Sequence, residues 1–190
     1  MQIPYREIIL PSLVKDVQDI FWDHINPHGL PANARTLRGV RIDKDNPAHQ
    51  QMIGITEKYP FLAYHMLLFV LSPGGATLLH KDGVDENHNR QRSCNIPVSG
   101  CSENGVTEFY KANRNDFFVD VANATRFIKP RSQTTKIYEY ALVDNPILCD
   151  TQLPHRVTNE KSKETRISVS WTTRREWTWD MIADYVEKTY

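Results

Sequence analysis

From Leu62 onward the chain is a succession of short β-prone runs separated by turn residues, and few folds accommodate that punctuation. The predicted strands are Tyr64–Leu71, Ala76–His80, Arg92–Val98, Val106–Tyr110, Asp116–Val121, Thr125–Lys129, Lys136–Val143, Ile147–Asp150, Pro154–Thr158 and Thr165–Thr172. Turns at Pro73-Gly74-Gly75, Ser99-Gly100, Asn104-Gly105 and Asp144-Asn145-Pro146 divide them. Short strands in that number must bury one face each, which a sandwich or barrel achieves.

Helical patterns flank this region. Leu13, Val14, Val17, Ile20, Phe21 and Ile25 fall on one helical stripe, with Ser12 placed as an N-cap and Pro27 and Gly29 marking the end. His24, on the apolar side, reads as a core or boundary histidine. A second helix is predicted over Pro47 to Lys58, with Asn46 as N-cap and Pro60 closing it. Near the end, Trp179, Ile182, Ala183 and Val186 share a face that can pack on a sheet, leaving Asp180, Asp184, Glu187 and Lys188 to water. The order fits a mainly β fold, a double-stranded β-helix (cupin-like jelly roll) with flanking N- and C-terminal helices. The expected organisation is one domain over 1–190, with helical support over about 1–60, a β core over about 62–172 and a helix over about 174–188. A chain of 190 residues can bury one core of that kind.

Lys+Arg and Asp+Glu are both 23, so no global field draws the chain to nucleic acid or anionic membranes. Lys111 to Lys136 is locally basic and reads first as a solvated insertion, second as a rim for an anionic substrate. No secretory signal is visible, and the longest apolar run, Met66 to Leu71, is too short to span a bilayer. Cys94, Cys101 and Cys149 lack paired zinc spacing and read as small buried hydrophobes in a reducing compartment, which makes a cytoplasmic location the expectation.

His80-Lys81-Asp82 is an H-x-D step beside a predicted strand. Residues two apart on a strand point the same way, so His80 and Asp82 can reach one metal. His155 could supply a third ligand from a strand distant in sequence but adjacent in a rolled sheet. Two imidazoles and a carboxylate can occupy one face of Fe(II) and leave the other open, which suits an oxygenase rather than a structural metal. The ligands must be neutral imidazole and ionised carboxylate, so binding weakens in acid. H-x-D alone arises by chance; the alternative is a turn histidine and a solvated carboxylate beside Gly83.

The residues downstream of His155 strengthen the metal reading. Arg166 comes eleven residues later and opens the strand Arg166-Ile167-Ser168-Val169-Ser170-Trp171, which alternates polar and apolar. Its polar side faces either solvent or a cavity. An arginine inside a cavity needs an anion, and it can hold a carboxylate bidentately. Arg90 and Arg92 form a second cationic pair; Arg92 would share a face with Cys94 and Ile96, either on an edge strand or near the same anion. His28, His49, His65 and His88 have no carboxylate at ligand spacing followed by an arginine strand. His65 reads as a core histidine and His88 as a loop residue.

The set His80-x-Asp82, His155 and Arg166-x-Ser168 resembles the Fe(II)- and 2-oxoglutarate-dependent dioxygenases. The stretch Asn89-Arg90-Gln91-Arg92-Ser93-Cys94-Asn95-Ile96-Pro97 and the later Asp150-Thr151 through His155-Arg156-Val157-x-Asn159 look most like the aspartyl/asparaginyl β-hydroxylase branch. A prolyl-4-hydroxylase-like affiliation is the nearest competitor. The resemblance covers roughly residues 64–172. It implies that His80, Asp82 and His155 hold iron, that Arg166 binds the distal carboxylate of 2-oxoglutarate with Ser168 assisting, and that Arg92 contacts the co-substrate. It also implies that O₂ and 2-oxoglutarate are consumed, succinate and CO₂ released, and a C–H bond of a peptidyl or small-molecule substrate hydroxylated. The chain departs from that branch in having Asp82, since the carboxylate ligand is often missing there. It also has Cys94 where a histidine is usual, and a long interval from His80 to His155.

Two other readings stand beside this one: a cupin-type metalloenzyme that does not use 2-oxoglutarate, and a non-catalytic jelly-roll binding module. Tyr64, Tyr110 and Tyr138 could line a pocket, although packing is the commoner role for tyrosine on a strand.

Overall fold

A computed structural model describes residues 3–25, 38–40, 47–82, 92–120, 125–129 and 132–190. In chain order the elements are β1 (Tyr5–Glu7), α1 (Pro11–Ile20), β2 (Arg38–Val40), α2 (Pro47–Lys58), β3 (Leu62–Leu71), β4 (His80–Asp82), β5 (Arg92–Ser99) and β6 (Val106–Lys111). They continue with β7 (Phe117–Asp120), β8 (Thr125–Ile128), β9 (Thr135–Ala141), β10 (Ile147–Asp150), β11 (His155–Val157), β12 (Arg166–Thr173) and α3 (Trp179–Thr189).

The strands form two 6-stranded sheets, ordered β1-β10-β5-β12-β3-β2 and β7-β8-β4-β11-β6-β9. All named pairings are antiparallel. Neighbours are mostly non-consecutive, so the chain winds back and forth between the sheets, as in a jelly roll. The fold is mainly β, with helices at either end of the strand-rich region.

β12 explains how the layers fit. Every residue of it is buried, but its two faces meet different surroundings. Ile167, Val169 and Trp171 join Leu13, Val17 and Ile20 of α1, Met52 and Ile55 of α2, and Ile182 and Val186 of α3 in one core. Each such side chain contributes about 1.5–3 kcal/mol relative to exposure, so this layer anchors the three helices to the first sheet. Arg166, Ser168 and Ser170 point the other way, into a cavity between the sheets. A smaller core gathers Phe109 of β6, Tyr140 of β9, and Ile147 and Cys149 of β10, with Leu142.

Several local expectations change. Helix α1 begins at Pro11 with Leu10 at its N-cap, and no side chain caps it. Ser12 lies inside the first turn, where its hydroxyl accepts from the Tyr59 hydroxyl at 3.2 Å. The stripe continues as a π-helical turn over Phe21–Ile25, and His24 meets Gln51 Nε2 at 2.7 Å. The proposed stops Pro27 and Gly29 and the proposed cap Asn46 lie outside the described residues. In the predicted strand Ala76–His80, Ala76 forms one isolated bridge to Thr158, and the ladder begins only at His80, so Asp82 is a strand residue. β1 and β2 are additions to the expected set, three-residue strands outside the alternating region. Within the basic stretch the described residues include β7 and β8, which pair at the edge of the second sheet. Lys129 donates to the Asn115 carbonyl and Lys136 to Glu108 and Glu139. Among the described residues, no helix is long and apolar enough to cross a membrane.

Candidate metal centre

β4 and β11 are adjacent in the second sheet, and His155 lies directly opposite His80. That register turns two histidines 75 positions apart into neighbours whose rings are 4.5 Å apart. Asp82, two residues along β4, presents its carboxylate on the same face, with Oδ1 3.8 Å from His80 Nε2. One ligand atom from each of His80, Asp82 and His155 lies within 4.8 Å of the others, so the three could hold a metal ion.

The backbone sets which nitrogens are offered. His80 Nδ1 donates to the Leu78 carbonyl at 2.7 Å and His155 Nδ1 to the Leu153 carbonyl at 2.9 Å. A carbonyl only accepts, so each Nδ1 carries the proton and each Nε2 keeps its lone pair in the neutral ring. Asp82 is itself anchored, its N–H donating to the Thr151 carbonyl at 2.9 Å and its carbonyl accepting from Gln152 Nε2 at 2.7 Å.

The cavity reaches from this triad between the sheets, with about 480 Å³ of space including its open mouth. Arg166 and Ser168 of β12 line it together with the triad. Arg166 is only 3% exposed, and its Nε and Nη1 have no hydrogen-bond partner. A guanidinium this deep with two unpartnered nitrogens is costly, and an anion in the cavity would relieve it. Its stem is accommodated by Gly105, where a Cβ would fall 3.4 Å from Arg166 Cδ and 2.9 Å from Asn159 Oδ1. Gly100, at φ +60°, allows the chain to pass against the Thr165 carbonyl just before Arg166; any Cβ there would overlap that group.

Asn95 and Tyr140 also belong to this region. Tyr140 lies opposite Thr107, a cavity residue. Its hydroxyl oxygen accepts from Asn95 Nδ2 at 2.8 Å. Burial pushes its phenol well above the ordinary range, so the group is neutral. Burial likewise pushes the Cys149 thiol up to about 12, so this cavity cysteine is not a thiolate near neutrality. In the sequence, Asn95 shows itself only by alternating with Ser93 against Cys94 and Ile96. Tyr140 shows no signal, because its position depends on the β6–β9 register.

Arg92 requires a correction. It does share a face with Cys94 and Ile96, but that face lies against the helices, where Cys94 and Ile96 enter the core. Arg92 Nη1 donates to the Trp177 carbonyl at 3.2 Å and is not a cavity residue. Its neighbours Ser93 and Asn95 face the cavity instead. Arg90 lies outside the described residues, as do His28 and His88. His65 is exposed, and its Nδ1 meets Thr172 Oγ1 at 3.0 Å, so it is not a core histidine. Tyr64 is exposed, Tyr110 donates to Glu108, and Tyr138 packs on the smaller core; none of them lines the cavity.

No family model matches this chain, and no curated protein matches it. Solved structures resemble it at low identity. A Pseudomonas putida prolyl-4-hydroxylase is 12% identical with a TM-score of 0.48, covering 90% of this chain and 93% of its own. AviO1 from Streptomyces viridochromogenes Tue57 is 12% identical with a TM-score of 0.46, over 91% and 90%. E. coli ycfD is 14% identical with a TM-score of 0.41, over 74% of this chain and 34% of its own. At these TM-scores the likenesses say nothing of activity.

Proposed function

We propose that this protein is an Fe(II)- and 2-oxoglutarate-dependent oxygenase that hydroxylates a C–H bond of a peptidyl or small-molecule substrate. One observation carries the reading: a buried guanidinium with two unpartnered nitrogens shares a cavity with a two-histidine, one-carboxylate cluster. The cluster is a ligand set for Fe(II) with open positions. The guanidinium demands an anion, and a carboxylate suits its fork. Bound there, Fe(II) with 2-oxoglutarate and O₂ would supply the oxidising power, with succinate and CO₂ released.

The chain's own residues then have separate tasks. His80, Asp82 and His155 hold the metal, their orientation fixed by the Leu78 and Leu153 carbonyls and the Thr151–Gln152 segment. Arg166 would pair with the far carboxylate of the co-substrate, with Ser168, on the same cavity-facing side of β12, assisting. This tether selects one orientation of the 2-oxo acid in the cavity. The helix-backed first sheet excludes bulk water from one side. The pattern around Asn159 and Arg92-Ser93-Cys94 favours the aspartyl/asparaginyl β-hydroxylase branch, although Arg92 is turned away from the cavity.

Anaerobic titration of the protein with Fe(II) and then 2-oxoglutarate is the test. The expected result is a visible metal-to-ligand charge-transfer band that is absent in His155→Ala and needs much more 2-oxoglutarate in Arg166→Met. Tight Fe(II) binding with turnover indifferent to 2-oxoglutarate would instead identify a cupin-type metalloenzyme. Absence of Fe(II) binding would leave a binding module.

A further inference from the structure

We infer that the substrate side of the metal is an apolar subsite made by Phe127 and Phe118, and that it takes an uncharged apolar side chain, aliphatic or aromatic. This rests on the oxygenase reading and deepens it. Strand register aligns Phe118 with Phe127, Phe127 with His80, His80 with His155, and His155 with Phe109 on one face of the second sheet. The rings follow one another at 5.9, 5.9, 4.5 and 6.1 Å. The metal ligands therefore sit within a row of rings, with Phe127 one strand and Phe118 two strands away from His80.

The two ends of the row differ. Beyond His155, Phe109 is fully buried and packs on Tyr140, whose phenol feels the Arg166 guanidinium. That end is closed by the smaller core, and the cavity runs from the triad toward Arg166 and Ser168. Beyond His80, Phe118 is 46% exposed although it lies on the inward-facing side of the sheet. A phenylalanine edge left open two strands from His80 is free to receive apolar atoms. Alternation sends Lys81 and Arg126, register partners, to the outer face, where Lys81 Nζ lies 4.9 Å over the Phe117 ring. Lys129, which follows β8 on the parity of Phe127, is drawn to the Asn115 carbonyl at 2.6 Å. Among the described residues, Lys129 and Asp116 flank this end of the row, and each is engaged, Lys129 donating to the Asn115 carbonyl and Asp116 accepting from the Asn113 N–H, which leaves the row itself apolar.

The test uses the full chain loaded with Mn(II) and 2-oxoglutarate, and three probes: N-acetyl-phenylalaninamide, N-acetyl-leucinamide and N-acetyl-aspartic acid amide. Paramagnetic relaxation of the side-chain protons reports binding close to the metal, and the Mn(II) electron paramagnetic resonance spectrum reports metal occupancy separately. The expected result is relaxation of the two neutral probes and not of the acidic one, with apparent affinity at least tenfold weaker in Phe118→Ser and Phe127→Ala at unchanged Mn(II) occupancy. Phe118→Ser changes an exposed edge position and decides the matter if Phe127→Ala fails to fold. The subsite is overturned if no neutral probe relaxes, if the acidic probe relaxes equally, or if the folded variants leave relaxation unchanged. If wild-type protein binds no Mn(II), or His80→Ala binds it equally well, the metal reading falls and this inference with it.

Discussion

His80 and His155 face each other across the β4–β11 pair with their rings 4.5 Å apart, and each is held by a carbonyl two residues earlier in its own chain segment. Both lone pairs are thereby fixed before any ion arrives, so metal affinity should depend on each histidine separately. His155→Ala and His80→Ala should each weaken Co(II) or Mn(II) binding by more than about 100-fold, since even losing an outer-sphere partner costs 10–100-fold. Isothermal titration reads the affinity. Metal should raise the melting temperature of the wild type and not of the variants. A variant that still melts higher with metal would remove that histidine from the site.

Arg166 gives a prediction in which stability and binding move in opposite directions. Its guanidinium is buried with two nitrogens unpartnered. Replacing an uncompensated buried charge by an apolar group of similar volume is often neutral or stabilising. Arg166→Met should therefore melt no lower than wild type in the absence of co-substrate. With metal bound, its affinity for 2-oxoglutarate should fall about 10–100-fold, the worth of a charged hydrogen-bond pair. A marked loss of stability together with unchanged 2-oxoglutarate affinity would show that the arginine holds the fold rather than a ligand.

The convergence of His80, Asp82 and His155 is legible in the sequence because its members obey short-range rules. Spacing of two on a strand sets His80 and Asp82 on one face, and a distant histidine followed by an alternating strand signals the third position. The same alternation places Arg92 once its neighbours are weighed above its charge. In β12 the polar alternate residues face the cavity and the apolar ones the helices; in β5 Arg92 keeps company with Cys94 and Ile96, the apolar set. Its charge suggests a ligand site, but a long arginine at a strand end can reach a backbone carbonyl, here that of Trp177. Tyr140 is hidden for a different reason. Its partners Thr107 and Asn95 come from two other strands, and cross-strand register is not written in local sequence. The Phe118–Phe127–His80 alignment is hidden in the same way.

Asn159 ties the segment before Arg166 to the end of β3. It is fully buried, and its Nδ2 lies within hydrogen-bond distance of the Leu71, Ser72 and Glu164 carbonyls at 3.1, 3.3 and 2.8 Å. Asn159→Ala would leave buried carbonyls unsatisfied, at a cost of about 1–3 kcal/mol. Gly105→Ala would press on Asn159 Oδ1 and Arg166 Cδ from the other side. Both variants should lower the unfolding midpoint in urea and, in the folded protein, raise the 2-oxoglutarate concentration needed for half-saturation without changing metal affinity. A loss of metal affinity in parallel would mean the disturbance spreads through β11 rather than staying at Arg166.

Acid should loosen the outer side of the same strands. Glu108 lies opposite Arg156, beside His155, on β6. It accepts from Arg156 Nε at 2.5 Å, from the Tyr110 hydroxyl at 2.8 Å and from Lys136 Nζ at 3.3 Å. Burial alone would raise its pKa, but the Tyr110, Arg156 and Lys136 donors outweigh burial and hold it below the usual carboxylate value. A carboxyl depressed on folding contributes stability above its unfolded pKa of about 4.3 and loses it as pH falls through the lower folded value. Glu108→Gln should therefore be less stable than wild type at pH 7, and the gap should narrow progressively below about pH 4.3. Urea midpoints of the two proteins across that range make the measurement, and a gap of constant size would show that the ionised carboxylate adds nothing to the β6–β11 pairing.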